Sequence, residues 1–244
     1  MLAAPFYLRL IWAGPGGWGL LHHAFMWTPA MAALAASWIV RRKIAGFGFR
    51  LGHARYYAVS YLVPILFCVP VYVVTWATQL GKFEPRPRLP FPLLLLLGLI
   101  AAPLAMIDTL GEEIGWTGLL TARLLDVTTF ARASLIRGLI WSLWHYPVVI
   151  VLLPRYRLNL PIWYALGCMT ISIVAIAFIY TWLRLRSGSL WPCALLHAVS
   201  SNLQDVFESA TKNTGLTQYI TYEFGIGFAI VLTIMAFLLW WKSA

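Results

Sequence analysis

Four ionisable residues stand inside long apolar runs of this chain: the adjacent Glu112 and Glu113, then His145 and His197. Ionised groups at membrane depth are costly unless paired or hydrated, so each is a functional candidate by default. A carboxylate in a partly dry site can take a proton from water, and an imidazole can orient that water or donate to a leaving group. A second imidazole, with a nearby hydroxyl or amide, can hold a developing oxyanion. Such a set supports hydrolysis. Neighbouring residues on a helix point about 100° apart, so one glutamate is expected to meet a substrate while the other braces a neighbour. Helical spacing sets Trp116, Trp141 and Trp144 around these positions, where they are expected to wall a substrate groove.

The elements that must carry these residues are membrane helices. Of 244 residues, 61% are hydrophobic and 11% charged, against roughly a quarter charged in a soluble domain. Seven apolar segments approach the twenty or so residues that cross a bilayer: about 18 to 40, 57 to 79, 91 to 111, 133 to 153, 162 to 183, 190 to 208 and 219 to 241. The third is expected to continue as helix beyond Glu112 towards Arg123, with Gly115 and Gly118 as its weak points. Turn-like stretches lie at Gly46 to Gly52, the Pro-rich run from Glu84 to Pro90, Asp126 to Thr129, and Arg155 to Pro161. The expected fold is all-α, a polytopic transmembrane bundle of about seven to eight spans with an intramembrane polar cavity.

The net charge of +10 sits in short clusters at span ends, such as Arg41-Arg42-Lys43 and Arg184-Leu185-Arg186. That is the orientation signal of membrane proteins and not the basic, aromatic-interleaved stripe of a nucleic-acid binder. With the Arg41 to Arg55 cluster inside, Arg123, Arg132, Arg137, Arg184, Arg186 and Lys242 also fall inside, eleven of the eighteen Lys and Arg. Glu112 precedes Arg123 by eleven residues, His145 follows Arg137 by eight and His197 follows Arg186 by eleven. At 1.5 Å per residue these offsets are about 12 to 17 Å, which places three helices' polar groups in one layer near mid-membrane. His22, His23 and His53 read as interfacial. Cys68, Cys168 and Cys193 show no metal-ligand spacing and read as small buried hydrophobes. The N-terminus, interrupted by Arg9 and the Gly14 to Gly19 stretch, is not a clean signal peptide.

Gly111-Glu112-Glu113-Ile114-Gly115-Trp116 resembles the EExxxR motif of the CPBP intramembrane endopeptidases, the family of type II CAAX prenyl endopeptidases and bacteriocin-processing or immunity proteins. Trp141-Ser142-Leu143-Trp144-His145 resembles its FxxxH motif. Ser189 to Ala198, with His197, resembles the third motif, in which a His is followed four residues later by Asn or Asp. The resemblance implies that Glu112 is the general base, His145 its partner, His197 the oxyanion donor and Glu113 a supporting acid. It implies an eight-helix bundle whose first helix is here shortened to the Phe6 to Trp12 stretch or lost. It assigns 1–90 to N-terminal membrane helices, 91–210 to the catalytic core and 211–244 to a C-terminal helix, all one structural domain. It also implies a bacterial or archaeal cytoplasmic membrane, with the site opening towards the cytoplasm.

Two positions depart from the family pattern. Thr117 stands where the motif Arg is expected, leaving Arg123 or Arg137 to replace it. Ser201 occupies the fourth position after His197 and Asn202 the fifth. Ser201, Asn202, Trp116 and Trp141 are the substrate-contact candidates. The expected partners are membrane lipid and a peptide or protein substrate, prenylated or not. One Glu and two His could also form a zinc site with an open position for water. No HExxH helix is present, and the expectation is of no cofactor. Competing readings are an inactive scaffold or immunity-type protein, and a transporter or proton channel that uses the same residues as a relay. No paired, Gly- or Pro-broken halves support the transporter.

Overall fold

The computed structural model describes residues 2–13, 18–85, 89–153 and 160–243. Most of the Arg155 to Pro161 turn and the middle of the Pro-rich run lie outside them. Ten helices follow in order: α1 (Ala4–Ala13), α2 (Trp18–Met26), α3 (Thr28–Arg41), α4 (Arg55–Ala77), α5 (Phe91–Glu113), α6 (Ala122–Val127), α7 (Phe130–Leu152), α8 (Ile162–Ser187), α9 (Trp191–Ser209) and α10 (Ile226–Ser243). The protein is an all-α polytopic membrane bundle, with one short antiparallel ribbon of β1 (Gly81–Phe83) and β2 (Thr211–Asn213) that sequence patterning did not anticipate. Five helical stretches are long and apolar enough to cross a membrane: Leu21–Arg41, Arg55–Ala77, Phe91–Val127, Phe130–Val151 and Ile162–Ser187. The apolar part of α10 is shorter, and α9 carries Asn202, Gln204, Asp205 and Glu208 along its second half.

The first expected span is two helices, broken at Trp27. Pro29 lacks the N–H that would bond the Phe25 carbonyl four residues back. The Thr28 hydroxyl donates to that carbonyl instead, at 2.8 Å, so the break leaves no orphaned acceptor there. The broken segment fits against α5 because Gly111 and Gly115 expose bare backbone. A Cβ on Gly111 would lie 2.5 Å from the Met26 carbonyl oxygen, and one on Gly115 2.6 Å from Pro29 Cβ. Small residues four apart let membrane helices approach closely, and here they bracket Glu112 and Glu113.

The third expected span does continue past Glu113, but not as α-helix. Ile114–Thr121 is π-helical before α6 resumes. Its wider turn is visible where the Thr121 hydroxyl donates to the Trp116 carbonyl at 2.8 Å. Such segments concentrate at functional sites.

The bundle has two unlike ends. At one, the loop between α3 and α4 is sealed onto its neighbours. Arg123 Nη2 donates to Ala45 O (3.3 Å), Arg184 Nη2 to Gly46 O (3.0 Å) and Leu190 N to Gly48 O (2.9 Å). At the other lie the β-ribbon, the Lys212–Glu84 ion pair at 2.9 Å, and the Tyr164 hydroxyl donating to Tyr219 O at 2.7 Å.

Candidate active site

Glu112 and Glu113 close α5 immediately before the π-helical segment. Both are fully buried. Glu112 Oε2 accepts two indole N–H bonds, from Trp116 at 3.0 Å and Trp141 at 2.6 Å. Its other oxygen, Oε1, is buried without a hydrogen-bond partner. Glu113 is saturated by comparison. It accepts from the Thr117 hydroxyl, from Arg137 Nη2 at 3.1 Å and from His197 Nδ1 at 3.1 Å.

α7 brings His145 and α9 brings His197 to the same place. His145 Nδ1 lies 3.0 Å from the Trp141 carbonyl. A carbonyl only accepts, so Nδ1 carries the proton and Nε2 is the nitrogen left for chemistry. His197 spends Nδ1 on Glu113, so its Nε2 is also left. Trp141 sits among all three groups, its ring 5.5 Å from the His197 ring and 6.1 Å from the His145 ring. Glu112, His145, His197 and Ser201 line one cavity of about 910 Å³. Glu113 stands behind it, acting on the cavity through His197. Among the described residues, no three His, Cys, Asp or Glu side chains converge closely enough to hold a metal ion.

Residues 88–203 match the family model described as Type II CAAX prenyl endopeptidase Rce1-like. The chain is also 30% identical over 128 residues to CAAX prenyl protease 2 of Methanococcus maripaludis, covering 52% of this chain and 45% of that relative. Over about half of its length the chain is therefore similar to CAAX prenyl endopeptidases. It spans less than half the length of that relative.

Set beside the EExxxR pattern, the missing motif arginine is answered from α7. Thr117 fills the motif position with a small hydroxyl, and Arg137 reaches Glu113 from the facing helix. Arg137 is fully buried, with its guanidinium 4.8 Å from the Trp141 ring centre and 4.4 Å from that of Tyr180. The two aromatic faces compensate a cation whose Nε and Nη1 find no hydrogen-bond partner. Arg123 is committed elsewhere, to Asp126 at 2.8 Å. Burial of Arg137 also removes it from the charges at the span ends, and it cannot serve as a surface mark from which to measure the depth of His145.

The two candidates after His197 diverge. The Ser201 hydroxyl donates to the His197 carbonyl at 3.2 Å and lines the cavity. Asn202 turns away and donates to Gly98 O on α5 at 2.9 Å, because α9 packs tightly on α5 along that face. The tryptophans divide as well. Trp141 is buried as a hydrogen-bond donor, whereas Trp116 and Trp144 line a second, mostly apolar hollow of about 340 Å³ on the other side of the site.

Sequence reasoning overlooked several cavity residues. His22 and His23, read as interfacial, line it, and His23 Nδ1 meets Asp108 Oδ1 at 2.6 Å. Asp108 precedes Glu112 by one helical turn, a signal that spacing alone carries. Tyr222 and Glu223 come from the segment before α10, where no periodicity marks them.

The cavity extends from Glu112, His145 and His197 along Asp205 and Ser209 to Gln218, towards the β-ribbon end. The basic clusters of the α3–α4 loop and the end of α8 lie at the opposite end.

Proposed function

We propose that the protein is an intramembrane endopeptidase of the CAAX type, which hydrolyses a peptide bond with water activated by Glu112 and His145. The observation that carries this reading is the unpartnered, buried Oε1 of Glu112 in a cavity shared with two imidazoles whose Nδ1 atoms are already engaged. Water held between Glu112 Oε1 and His145 Nε2 loses a proton to the carboxylate and attacks the scissile carbonyl. His197, as an imidazolium facing Glu113, donates from Nε2 to the developing oxyanion. The charges then balance within the site: two carboxylates against Arg137 and the His197 cation. Collapse of the tetrahedral intermediate returns the proton from Glu112 to the leaving amine. No covalent intermediate forms.

The Ser201 hydroxyl is spent on the His197 carbonyl and Asn202 on Gly98, so oxyanion stabilisation falls to His197 in this proposal. The name of the Methanococcus relative supports a prenylated substrate, and the apolar hollow beside Trp116 and Trp144 offers a place for its lipid chain. Purified protein in lipid nanodiscs is expected to cleave a farnesylated CAAX peptide, also after dialysis against chelator. Glu112→Gln should lower kcat by about 10² to 10⁴ while the protein elutes as a folded species. Equal cleavage by wild type and Glu112→Gln sinks the assignment.

A further inference from the structure

One acid at the cavity has both carboxylate oxygens unspent. The chain carries 8 Asp and Glu. Glu84, Asp108, Glu113 and Asp126 are ion-paired, and Glu112, Asp205 and Glu208 each accept a hydrogen bond. The eighth is Glu223, half-buried in the cavity wall. Among the described residues, its side chain has neither an ion pair nor a hydrogen bond.

The local fold holds it there. Gly225 N donates to Tyr222 O at 3.1 Å, closing a turn with Glu223 and Phe224 at its tip. Both tip residues line the cavity. The chain enters this turn through Tyr222 at φ 60°, a left-handed conformation that is uncommon outside glycine and collects at functional sites. Neighbours pin the strained turn from both sides. The Tyr222 hydroxyl donates to Asp205 Oδ1 at 3.2 Å, the Thr221 hydroxyl to Glu208 Oε2 at 3.4 Å, and Gly227 N to Ile220 O at 3.0 Å. A Cβ on Gly225 would lie 2.3 Å from the Ile220 carbonyl carbon, so the turn has no slack. From its tip Glu223 is within electrostatic range of His145, Glu112 and His197. It lies outside residues 88–203, the stretch that matches the endopeptidase family model.

Hydrolysis of a peptide bond creates one new cation, the departing amine. In the mechanism proposed above, Glu112 gives its proton to the nitrogen as the C–N bond breaks, and the bonding electron pair stays on nitrogen. The products are then a carboxylic acid and a neutral amine. The O–H proton of the acid moves to the amine, leaving a carboxylate and an ammonium ion. No Lys or Arg lines the cavity to compete for an anion. We propose that Glu223 is a further catalytic residue: its carboxylate accepts a hydrogen bond from the leaving nitrogen as the C–N bond breaks and pairs with the ammonium ion that results. This rests on the proteolytic reading and adds the departure of the amine to it. A partly buried carboxylate without a partner gains from a cation formed beside it.

The test compares a farnesylated CAAX peptide with its depsipeptide, in which oxygen replaces the scissile N–H and the leaving group is an alcohol that stays neutral. With full-length protein in lipid nanodiscs, Glu223→Gln should lower kcat on the peptide by about 10², a loss about tenfold larger than on the depsipeptide. Glu223→Asp, which keeps the charge, should fall between wild type and Glu223→Gln on the peptide. Equal losses on the two substrates, or an unchanged kcat on the peptide, overturn this inference and leave the proteolytic reading standing. A second measurement needs no turnover. A fluorescent product peptide with a free amino terminus should bind wild-type protein about tenfold more tightly than its N-acetyl form, read by anisotropy, and the preference should disappear in Glu223→Gln protein. Equal binding of the two forms by wild type overturns the inference as well. Absent cleavage of both substrates by wild type removes the proteolytic reading, and this inference with it.

Discussion

On one side of the α5 terminus, Glu113 spends both oxygens on Arg137, His197 and Thr117, and it does not line the 910 Å³ cavity. On the other side, Glu112 is held by two indoles through a single oxygen, its second oxygen is buried without a partner, and the residue lines the cavity. One residue apart, the same side chain has all its partners in the first setting and an unpaired oxygen in the second, the oxygen to which the proposed mechanism gives the reacting proton. The difference lies in what surrounds each carboxylate: a cation sandwiched between aromatic rings behind the site, and a wettable hollow in front. A buried charge is tolerated when its partners are complete, and it becomes chemically useful when one atom is left unsatisfied.

The largest expected break of this contrast is Arg137→Ala. It strands Glu113 as an unpaired buried charge, at a cost of about 3 to 5 kcal/mol, read as a lower thermal midpoint and lost cleavage. Adding Thr117→Arg to that variant should restore much of both, since it returns a guanidinium to Glu113 from the next turn. A single Arg137→Ala protein that melts like wild type would refute the anchoring role. A smaller separation comes from the two amides. Glu113→Gln should destabilise by about 2 kcal/mol through weakened bonds to charged donors, whereas Glu112→Gln should leave the melting midpoint within about 0.5 kcal/mol of wild type. If both lose stability equally, the two environments are not distinct. The smallest effect is Trp141→Phe, which keeps the ring under Arg137 but removes the N–H to Glu112. About a tenfold loss in kcat and about 1 kcal/mol in stability are expected, and an unchanged kcat would show that the indole clamp does not position the base.

Much of this was legible in the sequence. Apolar runs of bilayer length gave the helical class, and Glu112, Glu113, His145 and His197 do meet around one site. What escaped is long-range or geometrical. Arg137 looked like one more cation at a span end, because only packing shows that Tyr180 and Trp141 enclose it. The π-helical turns after Glu113 carry no periodicity of their own, and Gly115 and Gly118 hinted only that regular helix was weak there. The break at Trp27 follows from Pro29, but whether a membrane helix kinks or restarts depends on the Thr28 bond and on the glycine gap in α5. Indole N–H groups were read as walls when they are donors. Glu223 belongs to a segment whose position is set by α10 and by the hydroxyls of its neighbours, none of which lies near it in pattern.

The cavity has a floor. Below the layer of Glu112, His145 and His197 stand Glu113, Arg137, Tyr180, Leu183 and Leu190, all with essentially no solvent exposure. A conduit must join two aqueous compartments, whereas behind this hollow stand close-packed side chains. Among the described residues, a path through the bundle past Glu112 would have to part that packed layer.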